Sequence, residues 1–103
     1  MFIKARVLPV ACALLLLTGG TQAADIFKGR EVYELHCQIC HGMDGSSVDP
    51  GTPDFSRGES LFVPDSDLVR RLRDGSDMKP SFRGLLTDSE MRDVIAYVRT
   101  LQR

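Results

Sequence analysis

Along residues 24–103, the apolar positions gather in three periodic stretches separated by two long polar ones. The clearest is TDSEMRDVIAYVRTLQ, residues 87–102. Its Met91, Val94, Ile95, Val98 and Leu101 repeat at i, i+3, i+4, i+7, which predicts an amphipathic helix. Thr87 and Glu90 match a capping box at its start, and Tyr97 sits at the edge of the apolar stripe. PDSDLVRRLRDG, residues 64–75, predicts a shorter helix with Leu68, Val69 and Leu72 on its apolar face. Asp65 or Ser66 would cap it and Gly75 would end it. A first helix is expected from about Asp25, a suitable N-cap, to Cys37. Ile26, Gly29 and Tyr33 follow helical spacing there, with Val32 and Leu35 on a neighbouring stripe. Glycine inside a helix costs about 1 kcal/mol against alanine. Gly29 therefore marks either a close approach by another backbone or a weak spot near a helix start. The last helix needs a partner for its apolar face, and the first is the natural one.

The intervening stretches, residues 43–60 and 76–86, are rich in Gly, Pro, Ser and Asp and read as loops. Pro80 disfavours helix at Lys79. The expected architecture is all-α: three main helices and two long loops. Long ordered loops are usually functional, and a large apolar body at the centre would account for them.

The N-terminal end follows a different pattern. Lys4 and Arg6 precede an unbroken apolar run, VLPVACALLLL at residues 7–17, and then TGGTQAAD. This is the layout of a cleavable secretory signal peptide. Cleavage is expected after Ala23, dividing the chain into residues 1–23, removed, and a domain of residues 24–103. The run is short for a bilayer span, which needs about 20 residues, so no membrane attachment is expected after cleavage. Cys12 would leave with the signal. With a formal net charge of −1, the chain has no basic field to attract nucleic acid. So small a domain often needs a disulfide, metal or cofactor to hold it together.

That need directs attention to CQICHG, residues 37–42. A disulfide between Cys37 and Cys40 would close too short a loop to stabilise much. A thioredoxin-like motif should follow a strand in an α/β fold, and no such pattern occurs. Structural zinc takes four ligands, and only His36, Cys37, Cys40 and His41 follow the signal as Cys or His. Four ligands from one hexapeptide make poor tetrahedral geometry. C-x-x-C-H instead suits covalent attachment of haem c: the two thiols add to the vinyl groups and His41 reaches the iron.

A second axial ligand would come from a methionine. Met43 is too close to His41 to cross to the other face, and Met91 belongs to a core stripe. Met78 lies in a loop far enough along the chain to wrap around the ring. His36, next to Cys37, reads as a surface residue. The other ring nitrogen of His41 needs an acceptor, as metal-bound histidines usually do. The carbonyl of Pro53 is the candidate, with Pro50 second.

With these residues in view, the chain after the signal resembles a class I cytochrome c almost end to end. The resemblance rests on CQICH near the end of the first helix, MKP in the distal loop, and Gly29 with Tyr33 facing AYV of the last helix. It implies close crossing of the terminal helices, a Tyr33–Tyr97 pairing, and a small fold wrapped around one haem. Met-Lys-Pro departs from the Met-Pro of many relatives. HCQICHG, GTPDFSRG and AYVRTLQR are further similar to the NirC group, small periplasmic cytochromes encoded beside the haem-d nitrite reductase of denitrifiers. That resemblance implies electron delivery to such a reductase, or a redox role in making its haem d.

The expected function is thus a periplasmic one-electron carrier with redox-protein partners, and not an enzyme. His41 and Met78 would close both axial positions, and methionine raises the reduction potential. Lys79, Arg83 and the Arg70–Arg73 cluster could steer docking or simply keep a solvated face. The competing expectation is a haem enzyme or gas-binding protein with a labile distal ligand.

Overall fold

The computed structural model describes residues 23–77 and 79–103. Most of the proposed leader and Met78 fall outside them. Four α-helices follow in order: α1 (Ile26–His36), α2 (Gln38–His41), α3 (Asp65–Asp74) and α4 (Asp88–Arg99). A 3-10 turn, Phe55–Arg57, interrupts the first loop. Among the described residues there is no strand; Ser76 with Lys79 and Arg83 with Leu86 form isolated bridges. The mostly helical fold is the expected one, with α2 added as a single turn carrying the cysteine motif.

The helices start where local chemistry satisfies their free N–H groups. Asp25 caps α1, its carboxylate accepting from Phe27 N and Lys28 N. Thr87 and Glu90 form the reciprocal capping box of α4. At α3 the expectation of an Asp65 or Ser66 cap is corrected: Pro64 holds the N-cap position without a side-chain bond. Asp65 is instead engaged by Arg99, whose Nε lies 2.9 Å from Oδ1. Asp65 and Asp67 still place negative charge in the first turn, where the helix dipole favours it.

α1 and α4 cross at Gly29. A Cβ there would lie 2.0 Å from the carbonyl oxygen of Asp93, so only glycine allows this approach. Tyr33 and Tyr97 pack beside the crossing, ring centroids 5.4 Å apart. Asp93, buried on α4, accepts from the backbone N–H of Asp25 at 2.8 Å. The crossing buries a narrower face of α1 than the periodicity suggested. Gly29, Val32 and Tyr33 are covered, whereas Leu35 is 79 % exposed. A single helix contact covers only one i, i+3, i+4 ridge.

The core joins Val32 and Tyr33 of α1 to Met91, Val94, Ile95 and Val98 of α4, with Leu61, Val69, Phe82 and Leu86 closing it from the loops and α3. Arg99 fastens the end of α4 to the chain ahead of α3. It donates to Leu61 O and Val63 O, both at 2.8 Å, besides its ion pair with Asp65.

Candidate functional site

The motif side chains are set by a break in the helix. Cys37 leaves helical geometry at φ −121°, ψ −35°, ending α1 and starting α2. Gly42 ends α2 at φ 86°, where a Cβ would lie 2.5 Å from Ser46 O. Tyr33, fully buried, donates its hydroxyl to Gly42 O at 2.6 Å. The turn carrying Cys37, Cys40 and His41 is therefore tied at its far end to the α1–α4 core.

These three side chains line one cavity of about 710 Å³. That lies within the range for a cofactor-sized ligand, about 300–1,000 Å³. Leu61, Leu68, Leu72, Phe82, Val94 and Val98 supply its apolar walls, and Arg71 and Lys79 also border it. Cys37 and Cys40 are unpaired thiols. Burial pushes Cys37 up to about 11. Cys40 is raised mainly by its hydrogen bond with Asp49. Both are thus neutral near pH 7. Among the described residues, no group of three or more His, Cys, Asp or Glu side chains could hold a metal ion. An apolar chamber with two thiols and an imidazole on one wall fits a covalently held haem.

The imidazole of His41 is held from two directions. Its Nδ1–H donates to Pro53 O at 3.0 Å. The ring of Phe55 lies against its face, centroids 4.2 Å apart and planes 13° from parallel. Burial holds His41 below its ordinary pKa, while the Pro53 bond acts in the opposite sense and Lys79 lowers it further. The neutral ring, with its proton on Nδ1, keeps the Nε2 lone pair available to a metal.

The other candidates separate clearly. Met91 is 1 % exposed inside the core, whereas Met43 is 81 % exposed. Pro50 also lines the cavity, but the hydrogen bond goes to Pro53. His36 is not the plain surface residue expected. It is half-buried, lines the cavity and meets Phe82 edge-on at 5.9 Å. Phe55 carried no periodic signal, being a lone aromatic in a polar loop.

A family model described as Cytochrome C oxidase, cbb3-type, subunit III matches residues 24–98. The chain belongs to this family of small c-type cytochromes. It is 33 % identical to cytochrome c6 of Thermosynechococcus vestitus over 86 % of this chain and 82 % of that one. It is 32 % identical to cytochrome c6 of Thermostichus vulcanus with the same coverage. Among solved structures, the KustC0563 c-type cytochrome superposes with a TM-score of 0.64 at 25 % identity, covering 73 % of this chain and 98 % of that one. Cytochrome c6 from the diatom Phaeodactylum tricornutum matches with a TM-score of 0.63, covering 75 % and 93 %. At 22 % identity it shares the fold. The cytochrome is an electron carrier whose cofactor is covalently bound haem c with its iron. No helix among its described residues is long and apolar enough to cross a membrane.

Proposed function

We propose that the cytochrome carries single electrons in a bacterial periplasm, reached through a signal peptide cleaved after Ala23. Cys37 and Cys40 would hold the haem through two thioethers, and His41 and Met78 would ligate its iron. When bound, haem c supplies one-electron exchange at its iron. The chain's own part is to position, shield and tune. Pro53 fixes the protonated nitrogen of His41, and the apolar wall keeps water from the ring. The observation that carries this reading is the joint placement of Cys37, Cys40 and His41 on one wall of the apolar cavity, with His41 anchored to Pro53.

The partner proposed is a haem-d nitrite reductase, served either as its electron donor or in making its haem d. This reading is supported by the wording of HCQICHG, GTPDFSRG and AYVRTLQR, of which GTPDFSRG is the loop that presents Pro53 and Phe55 to His41. The test is anaerobic mixing of the reduced cytochrome with nitrite and a catalytic amount of the reductase. A donor is oxidised at a rate set by the reductase concentration. No oxidation overturns the donor role. Absence of haem d from the reductase in a strain deleted for the cytochrome would support the maturation role.

A further inference from the structure

The His41 ring makes two contacts with one loop, and they constrain different motions. The hydrogen bond from Nδ1 to Pro53 O fixes the direction of that nitrogen. It leaves the ring plane free to roll about the N–H···O line. The Phe55 ring, 4.2 Å away and within 13° of parallel, lies across that remaining motion. Rolling the imidazole would drive one of its edges into the phenyl face. Close-packed aromatic rings cannot absorb such a change without moving their neighbours.

Phe55 is itself well held. Its N–H donates to Gly45 O at 2.8 Å, and its carbonyl accepts from Gly58 N at 3.0 Å. Asp54 caps the turn it begins, accepting from Ser56 N at 2.9 Å. A Cβ added at Gly45 would lie 3.2 Å from the Cβ of Phe55 and from a methyl carbon of Leu101. The backbone that carries the phenyl ring is thus held within the first loop, and the side chain packs against the core.

We propose that Phe55 is a positioning residue for His41: its stacked ring sets the plane in which the imidazole would present Nε2 to the iron. This rests on the reading of His41 as an axial ligand. The orientation of the imidazole, together with that of the second ligand, governs how unpaired ferric spin is distributed around the haem. The effect should therefore be visible in spectra that simple loss of packing leaves alone.

The experiment uses the mature haem-loaded protein, its Phe55→Leu and Phe55→Tyr variants, ferric NMR and EPR, and thermal unfolding. Wild type should show the hyperfine-shifted ring protons of a bound histidine. Phe55→Leu should keep those signals but reorder the haem methyl shifts and alter the EPR g-anisotropy. Phe55→Tyr should restore the wild-type pattern. If Phe55→Leu does not take up haem, Phe55→Met provides the apolar comparison. Unchanged methyl shifts and g-values, even with a lower melting temperature, would reduce Phe55 to packing and overturn the proposal. Absence of bound-histidine signals from wild type would instead overturn the ligand assignment beneath it.

Discussion

At the scale of single residues, the site depends on groups with no direct part in the cysteine motif. Tyr33 links the α1–α4 core to the turn holding His41 through its bond to Gly42 O. Burial keeps its hydroxyl protonated well above the ordinary range, so it stays a donor at all moderate pH. Removing only that hydroxyl, in Tyr33→Phe, leaves the buried Gly42 carbonyl with the longer bond from Gly45 N, at 3.3 Å, as its remaining partner. A loss of about 0.5–1.5 kcal/mol is expected, measured by urea unfolding of the haem-loaded protein. The motif's chemistry was legible because Cys, Cys and His at that spacing have few uses. Pro53 stood ahead of Pro50 as the acceptor that a ligating histidine needs in the first loop, and its carbonyl is the one that lies 3.0 Å from Nδ1. Phe55 could not be read. Periodicity identifies helix faces, and a lone aromatic in a loop has none.

At the scale of elements, the crossing of α1 and α4 and the start of α4 carry the clearest consequences. Gly29→Ala would push a methyl group into the Asp93 backbone. Such overpacking costs about 1–3 kcal/mol, and a lower melting temperature is expected by calorimetry. Glu90 gives a pH test of the α4 cap. Its carboxyl is held below the ordinary value of 4.5, first by the Thr87 backbone N–H and also by the Thr87 side chain, Lys28 and His36. A depressed folded-state pKa makes this contribution complete above the ordinary carboxylate range and lost as pH falls through the lower folded value. The stability advantage of wild type over Glu90→Gln should therefore be constant above about pH 5 and shrink below about pH 4. The helix starts were readable where a side chain performs the capping. The start of α3 was misassigned because Asp65 is drawn away to Arg99, a contact made from the far end of α4. α2 was missed as a separate helix because its four residues are shorter than any periodic signal.

At the scale of the whole molecule, the fold surrounds an apolar chamber of about 710 Å³. The loops that looked too long for three helices supply its rim: the first brings Pro53 and Phe55, the second Lys79 and Phe82. Several arginines of α3 and the second loop are paired locally. Arg70 pairs with Asp67, Arg73 with Asp88 and Arg83 with Asp74. Lys79 donates to Arg71 O at 2.5 Å. Exposed pairs of this kind contribute little to stability, and they reduce the free positive charge available to steer a partner. For Arg70 and Arg73 this pairing favours the solvated-face alternative over docking. A residue count sees the cations, while the paired carboxylates come from α3 and the α4 start.

We propose a haem c held between His41 and Met78. It is tested most directly by optical spectra of the purified mature protein, oxidised and reduced, beside Met78→Ala and Met91→Ala. Met91→Ala is expected to keep the far-red sulfur-to-iron band while losing about 2–5 kcal/mol of stability, because Met91 is a core residue. Wild type should be low-spin with that band, and Met78→Ala should lose it. A high-spin wild type, or a Met78→Ala variant that keeps the band, would contradict the assignment and leave the distal position open to ligands.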